Sequence, residues 1–242
     1  MRRRYYYDLH THSCLSPCAD NDNTPNNLLG MAHLAGINIL ALTDHNSTKN
    51  CPAFFEASKK YGIIPIAGME LTTSEDIHVV CLFKNLESAI QFDSFLDSHR
   101  MRVKNKPDVF GNQLILDGED NLIGQIDDLL SVATDISVDD VYGLIKKYDG
   151  AAYPAHIDRE SNGIIATLGA YPKHLEFGAV EFRDTENVKQ YVNRFHIEDK
   201  KVVISSDAHY LTGIKDKENY FEFDSDSDDF SYITDSLIEF LR

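Results

Sequence analysis

Short apolar segments of two kinds alternate along most of this chain. Some are rich in β-branched and aromatic side chains and predict strands, whereas others repeat apolar residues every three or four positions and predict helices. Residues typical of helix caps lie at the predicted helix ends. Thr24 and Pro25 begin one helix, which ends at Gly36, and Ser137 begins another. The alternation favours an α/β fold whose sheet is largely parallel, either open and doubly wound or closed into a barrel.

The predicted elements span nearly the whole chain. Strands are predicted at residues 5–12, 37–45, 63–71, 77–83, 151–157, 178–183 and 201–209. Helices are predicted at residues 24–36, 52–62, 85–100, 137–150, 186–196 and 230–242. The alternation stops at residues 101–136, where an Asp-Gly pair between two apolar runs predicts an inserted hairpin. We therefore expect a single domain over residues 1–242, with this insertion, a solvated acidic loop at 224–229 and a C-terminal helix.

Charge and composition narrow the classes of function. The 242 residues include 39 acidic side chains against 23 of Lys or Arg, a net charge of -16, which disfavours a long nucleic-acid track. Carboxylates can instead attract divalent cations, through which an acidic protein binds small phosphorylated ligands. No run approaches the roughly 18 apolar residues of a membrane span, and no apolar signal segment follows the basic N-terminus, so we expect a cytoplasmic protein without membrane contacts. The four cysteines are too few and too scattered for a disulfide framework.

Side chains that bind metal ions collect at the ends of the predicted strands. Nearly every predicted strand carries one, nearly always at its C-terminal end; His78 instead lies at the start of its strand, and the strand at 178–183 carries none at its end. The set comprises His10, His12, Asp44, His45, Glu70, His78, His156, Asp207 and His209. A buried cluster of imidazoles and carboxylates needs cations to neutralise it, so the pattern indicates a metal centre.

The donor types and their number describe this centre further. Imidazoles mixed with carboxylates suit Zn, Mn or Fe, whereas Mg and Ca prefer oxygen ligands. An open site needs only about three protein ligands, so the set predicts two or three divalent transition-metal ions. The sequence contains neither a G-x-S-x-G motif nor a Gly-rich phosphate loop that would favour another chemistry. The remaining histidines lie outside any motif and are predicted to be structural or superficial: His33, His99, His174 and His196.

Five ordered motifs resemble the PHP family, the polymerase and histidinol phosphatase domains, with the greatest similarity to its stand-alone metal-dependent phosphoesterases. The motifs read DLHTHS, LTDHN, GMEL, PAHIDR and SSDAH, and the resemblance runs through residues 5–83 and 137–210. It implies a distorted seven-stranded β/α barrel that holds two or three metal ions.

The resemblance also implies how the ligands divide among three ions, with two further carboxylates, Asp8 and Asp44, orienting ligand imidazoles. The ligands of the first ion would be His10, His12, Glu70 and Asp207. Those of the second would be the bridging Glu70, His78 and His156. Those of the third would be His45 and His209.

The loop after the second histidine departs from the family pattern. Many relatives carry an acidic or histidine ligand five positions after that histidine, whereas Pro17 occupies the position here and Cys18 and Asp20 follow it. The third ion would then be bound by Asp20, which we favour, by Cys18, or weakly. Two arginines are candidates for binding the substrate phosphate, because a guanidinium can grip two phosphate oxygens at once: Arg159 in PAHIDR and Arg183 in AVEFR.

The leading hypothesis is hydrolysis of a phosphate ester by a metal-activated hydroxide, with Glu70, Asp207 and His209 as catalytic residues. The substrate would be a small phosphorylated metabolite, a nucleotide or the 5′ end of a short oligonucleotide. A histidinol-phosphatase-like phosphomonoesterase is an alternative that the insertion disfavours, because the insertion looks closer to nucleotide-type relatives. A metal-loaded domain that binds a ligand without turnover is the second alternative.

Overall fold

The computed structural model describes residues 2–224 and 230–242, which form ten strands and eight α-helices. The strands are β1 (Arg2–Asp8), β2 (Ile39–Leu42), β3 (Ile64–Thr72), β4 (His78–Phe83), β5 (Leu114–Leu116), β6 (Leu122–Gln125), β7 (Gly150–Pro154), β8 (Ala179–Phe182), β9 (Lys201–Ile204) and β10 (Tyr220–Asp224). The helices are α1 (Pro25–Leu34), α2 (Cys51–Ser58), α3 (Leu86–Leu96), α4 (Pro107–Phe110), α5 (Val138–Lys147), α6 (Ile164–Leu168), α7 (Thr185–Phe195) and α8 (Phe230–Leu241).

The main sheet has six strands in the order β10–β1–β2–β3–β4–β7. Strands β1, β2 and β3 run parallel, whereas β4 is antiparallel to both β3 and β7, and β10 is antiparallel to β1. The sheet is therefore mixed, and the expectation of a largely parallel sheet is wrong for this part. The reason is the connection between β3 and β4, whose five residues are too few for a parallel crossover.

The predicted seven-stranded barrel is not confirmed, because β8 and β9 form a separate parallel pair. The ends of this pair nevertheless contact both neighbouring strands. The Ile157 N–H, just beyond β7, donates to the Glu181 carbonyl, and the His12 N–H, just beyond β1, donates to the Ala208 carbonyl. The carboxyl ends of β7, β8, β9 and β1 thus lie side by side, and the strands curl into a partial barrel.

Alternate residues of each strand face two apolar cores, as the period of two along a strand requires. In β2, Leu40 and Leu42 pack with the outer helices, whereas Ile39 and Ala41 pack inside the curled sheet. Helix α8 adds apolar side chains to the inner core and lies at the amino end of β7, where Arg242 Nε donates to the Gly150 carbonyl. One end of the inner core is thus covered, and polar side chains collect at the other.

The insertion carries the predicted hairpin, in which β5 and β6 pair antiparallel, and also the unpredicted helix α4. It packs against the loop that follows β1. The Leu114 N–H donates to the Cys14 carbonyl, and Gly111, at φ 98°, lies so close to the Pro17 carbonyl that a side chain would collide with it. The insertion therefore supports the loop that follows His12.

Several predicted boundaries are confirmed by their caps. The Thr24 hydroxyl accepts the Asn27 N–H at the start of α1, Gly36 follows that helix at φ 75°, and Ser137 caps α5. Strand β10 lies outside the predicted strands, and residues 225–229 of the expected acidic loop lie outside the described residues. Within the two described ranges, no helix is both long and apolar enough to cross a bilayer.

Candidate metal centre

The predicted ligands meet at one rim of the curled sheet. Most follow the carboxyl end of a strand, and Glu70 lies near the end of β3. His78 begins β4, but β4 is antiparallel and pairs His78 with Thr72, so its start lies at the same rim. All of the ligand side chains are buried except that of His209, which is partly exposed. They are His10, His12, His45, Glu70, His78, His156, Asp207 and His209.

One set of four ligands has the dimensions of a metal site. His10 Nε2 lies 3.1 Å from His12 Nε2, 3.3 Å from Glu70 Oε1 and 3.5 Å from Asp207 Oδ1. His12 Nε2 lies 3.4 Å from Glu70 Oε2 and 3.3 Å from Asp207 Oδ1. Ligands bound tetrahedrally at about 2.0–2.1 Å are separated from each other by about 3.3–3.4 Å. The donors therefore fit a single transition-metal ion.

Several of these buried atoms have no hydrogen-bond partner. Glu70 Oε2 and Asp207 Oδ1 lie within 3.5 Å of imidazole nitrogens, yet neither atom accepts a hydrogen bond. His78 Nδ1 likewise lies 2.8 Å from Glu70 Oε1 without hydrogen-bond geometry. The atoms point towards common centres and not at one another. Because buried polar atoms are almost always paired, cations are the partners that this orientation fits.

Two further sets share residues with the first. The second set comprises His45, Glu70 and His78, with Glu70 Oε2 3.1 Å from His45 Nδ1 and Glu70 Oε1 2.8 Å from His78 Nδ1. His156, which the family resemblance assigns to the same ion as His78, is not in this set, although its Nε2 lies 3.0 Å from Glu70 Oε1. A third set contains no carboxylate and consists of His12, His45 and His209. Glu70 thus belongs to two sets, as a ligand shared between two ions would.

Glu181 in β8 supports two of the ligands and is absent from the predicted site residues. Its Oε1 accepts hydrogen bonds from His10 Nδ1–H at 2.8 Å and from the His156 backbone N–H at 3.1 Å, and the side chain is buried. A carboxylate on Nδ1 leaves Nε2 of the same ring free for a metal and makes it more basic. The available signal is an acid inside the apolar segment AVEF, where a buried charge needs a partner.

Asp44 acts on His12 through Ser16 and not directly. Ser16 Oγ–H donates to Asp44 Oδ1 at 2.7 Å, and the same oxygen lies 3.0 Å from His12 Nδ1. Since the hydroxyl hydrogen is engaged, Ser16 Oγ accepts the Nδ1–H, which leaves His12 Nε2 for a metal. Asp8 instead accepts backbone N–H groups, including that of Ser206, so it holds the loop after β9 and not an imidazole.

Charge within the cluster shifts its pKa values strongly. Burial opposes ionisation of Glu70, but the neighbouring histidines, above all His78, outweigh it and hold its pKa well below the usual range. The pKa of Asp207 is also lowered against the effect of burial, chiefly by His10. The pKa of His10 is raised well above its usual value, again against burial, by the carboxylates of Glu181 and Glu70. The carboxylates thus stay ionised, and their buried negative charge has to be neutralised. Metal cations can provide this neutralisation in place of protons on the imidazoles.

Two ligands lie on strained backbone. His156 has φ 26° and Asp207 has φ 52°, values that residues other than glycine seldom adopt. Both residues follow a strand at the rim, where the left-handed conformation turns the chain sharply. Such outliers cost about 1–3 kcal/mol each and cluster at functional sites, so the strain points to a functional demand at both positions.

The structure does not bring Asp20 to the other ligands. Asp20 is exposed, its carboxylate accepts the Asp22 N–H at 2.9 Å, and the three ligand sets within the described ranges include neither Asp20 nor Cys18. Cys18, the other candidate, lies beside the cluster with Sγ 3.2 Å from His45 Nε2. Against the effect of burial, hydrogen bonds with His209 and His45 lower the pKa of this thiol to about 6. The preference for Asp20 therefore finds no geometric support, because the loop turns that side chain towards solvent.

A cavity of about 620 Å³ opens over the ligands and contains three cationic side chains, Arg159, Arg183 and Lys215. Arg159 Nη1 donates to Asp207 Oδ2 at 2.9 Å, so this predicted residue lies directly against a ligand. Lys215, which is absent from the predicted residues, donates to the Arg183 carbonyl at 3.2 Å. The Arg183 guanidinium has no hydrogen bond or ion pair with any described side chain. Cations around a cavity of an acidic protein favour an anionic ligand.

Comparison with known proteins gives matches in sequence and in fold. The family model described as the PHP domain matches residues 8–179. A 5′-3′ exoribonuclease of Haemophilus influenzae is 38% identical over 79 residues, which are 31% of this chain and 28% of that protein.

Two solved structures share the fold. The lesion-specific endonuclease EndoQ of Pyrococcus furiosus matches with a TM-score of 0.65 at 14% identity, over 98% of this chain and 56% of that one. A protein of Bifidobacterium adolescentis, whose proposed identity is a metal-dependent phosphoesterase, matches with a TM-score of 0.57 at 18% identity, over 85% of this chain and 88% of that one. The present chain thus spans less than two thirds of the exoribonuclease and of the endonuclease.

Proposed function

The chain belongs to the PHP domain family, and from this premise we propose that it hydrolyses phosphate esters with the help of two or three divalent transition-metal ions. One observation carries the proposal: buried, unpaired ligand atoms converge beneath a cavity whose wall also holds cationic side chains. Ligands recruit the metals, and cations beside them attract the charged phosphate.

We assign the first ion to His10, His12, Glu70 and Asp207. The second ion has Glu70 as a shared ligand, with His78 and His156. The third has His45 and His209. Imidazoles mixed with carboxylates favour Zn, Mn or Fe at these positions. When bound, such ions act as Lewis acids on a phosphoryl oxygen and lower the pKa of water towards about 7.

The side chains of this protein have distinct roles in the proposed reaction. Glu70, Asp207 and His209 are the proposed catalytic residues, and they line the cavity, as His45 and His78 also do. Arg159, beside Asp207, would grip two phosphate oxygens, and Arg183 would bind further negative charge. Glu181 keeps His10 in the tautomer whose Nε2 faces the metal.

The proposed substrate is a small phosphorylated metabolite, a nucleotide or the 5′ end of a short oligonucleotide. A cavity of about 620 Å³ suits a ligand of this size, and the net charge of -16 disfavours a long nucleic-acid track. The names of the exoribonuclease and the endonuclease support a nucleotide-type substrate over histidinol phosphate. Residence in the cytoplasm stays a prediction.

The test is a substrate panel on the metal-depleted protein, with Mn, Zn and Fe each added back. The panel contains phosphate monoesters, including histidinol phosphate, phosphate diesters, nucleotides and a short 5′-phosphorylated oligonucleotide. We expect hydrolysis that depends on added metal and that Glu70→Gln abolishes. Metal binding without turnover of any of these substrates would instead identify a non-catalytic binding domain.

A further inference from the structure

The third ligand set lacks a ligand. It consists of His12, His45 and His209, but His12 Nε2 already lies within 3.5 Å of three donors of the first set. An ion at the third position would thus have only His45 and His209 for itself. An open metal site uses about three protein ligands, so one more donor is needed.

Cys18 lies where this donor is needed. Its Sγ is 3.2 Å from His45 Nε2, and it lines the same cavity as His45 and His209. Resting on the metal centre of the proposed function, we propose that the Cys18 thiolate completes the third ion site together with His45 and His209. Cys18 and Asp20 are both exposed, but the Asp20 carboxylate accepts the backbone N–H of Asp22, whereas the Cys18 thiol contacts His45.

The loop around Cys18 is held in position for this role. The Ala19 N–H donates to the Ser16 carbonyl, and the Asp20 N–H donates to the His209 carbonyl at 2.9 Å. The second bond ties the cysteine loop directly to the segment that carries His209. On its other side, Gly111 of the insertion packs against the Pro17 carbonyl. A ligand held by such contacts needs little rearrangement to bind a metal.

A thiolate makes the third site chemically different from the other two. The first two sets contain carboxylates, which accept Mn readily, whereas thiolate and imidazole together favour Zn. Binding forms a metal–sulfur bond and releases to solvent the proton that lies between Cys18 Sγ and His45 Nε2. We therefore expect a centre that takes up different metals at different positions, with Zn preferred beside Cys18.

Cobalt(II) provides a readout that does not depend on activity. The metal-depleted wild type, Cys18→Ser and Asp20→Ala are each reconstituted with cobalt(II), and bound metal is counted by elemental analysis. We expect a thiolate-to-cobalt charge-transfer absorption in the wild type and in Asp20→Ala. Cys18→Ser should lose this absorption together with one ion per chain, while its circular dichroism stays unchanged. Cys18→Asp should regain the ion without the absorption and shift its preference from Zn to Mn.

The outcomes separate this inference from the proposed function. If the wild type binds cobalt(II) without a thiolate absorption, or if the absorption persists in Cys18→Ser, the assignment of Cys18 is wrong and the metal centre stands. If the wild type binds no cobalt(II) at all, the metal centre itself is wrong.

Discussion

Two cavities of this protein, of about 620 and about 570 Å³, are both lined by histidines and carboxylates. In the smaller cavity, His99 pairs with Asp135 and His174 with Asp139, each through one hydrogen bond of 2.7 Å, and both pairs lie near solvent. In the larger one, Glu70 is buried and approaches the nitrogens of several imidazoles, while its Oε2 accepts no hydrogen bond.

The difference lies in how the polar atoms are satisfied. In a one-to-one pair, the imidazole and the carboxylate satisfy each other's hydrogen bonds, so no ligand atom remains for a cation. Because both groups are exposed, their ion pair contributes little to stability. Several ligand atoms that converge on one point cannot all form hydrogen bonds with each other. Leaving such atoms unpaired in a buried position is destabilising unless a cation binds them. Metal binding is therefore encoded by convergence at the strand ends and not by the number of histidines and acids in a cavity.

Metal removal should separate the two cavities most strongly. An ion present at 100 times its dissociation constant stabilises a protein by about 2.7 kcal/mol, which for a chain of this size is roughly 5–10 °C in Tm. We expect a chelator to lower Tm by at least this amount and to abolish hydrolysis. The decrease in Tm should be the same in His174→Ala, because the ligand sets found among the described residues include no residue of that cavity. A Tm that does not respond to the chelator would remove the distinction between the cavities.

Substitution of one carboxylate in each cavity should have very different effects. Glu70→Gln weakens the binding of two ions and should reduce kcat by about 1,000-fold or more, a barrier increase of roughly 4 kcal/mol. Asp139→Asn, the matched change in the smaller cavity, should alter stability by no more than about 0.5 kcal/mol and leave kcat unchanged. Asp20→Ala should be close to Asp139→Asn. Steady-state kinetics and thermal melts measure both quantities, and equal losses in Glu70→Gln and Asp20→Ala would show that the loop after Pro17 is misassigned.

Loss of the guanidinium beside Asp207 should act on substrate binding. Arg159→Ala removes a charge-assisted contact worth about 2–3 kcal/mol, so kcat/KM should fall roughly 30- to 150-fold, mainly through KM. Arg159→Lys should recover only part of this, because an ammonium cannot form the two parallel bonds. Metal content should not change. Wild-type kinetics in Arg159→Ala would transfer the role to Arg183.

The smallest expected effect concerns the residue that orients a ligand. Glu181→Gln keeps an acceptor for His10 Nδ1–H but loses the charge, and metal affinity should fall about 10- to 100-fold. Metal-buffered titrations of the wild type and the variant measure this change, and saturating metal should restore kcat. An unchanged affinity would mean that Glu181 only packs β8 against β7.

The sequence predicts the ligands better than the sheet that presents them. Strand ends are marked locally by apolar runs followed by His, Asp or Glu, so His10, Glu70 and Asp207 can be found without knowing strand order. Strand direction depends on connection length, which makes β4 antiparallel and explains why His78 lies at the start of its strand. The pairing of β10 with β1 joins opposite ends of the chain, which local patterns do not reveal.

Two site residues required tertiary information. Glu181 lies at least as near the end of its strand as Glu70 does, but only its contacts with His10 and His156 identify it as part of the site. The orientation of the loop after Pro17 is decided by contacts with the distant insertion and with His209, so its sequence alone does not tell which of Cys18 and Asp20 faces the cluster. Interactions between segments far apart in the chain decided both cases.

The distance along the chain between the partners of this centre also sets an order of events during biosynthesis. Asp207 follows His10 by about 200 residues, so at about 5–20 residues per second a ribosome needs roughly 10–40 s to make the second after the first. Strand β10, which pairs with the edge of β1, is synthesised later still. Throughout this interval the nascent chain presents the histidine pair without Asp207, which follows β9, so a cation bound there would lack part of its final coordination. The full set of proposed ligands therefore exists only after the segment that carries Asp207 and His209 has left the ribosome.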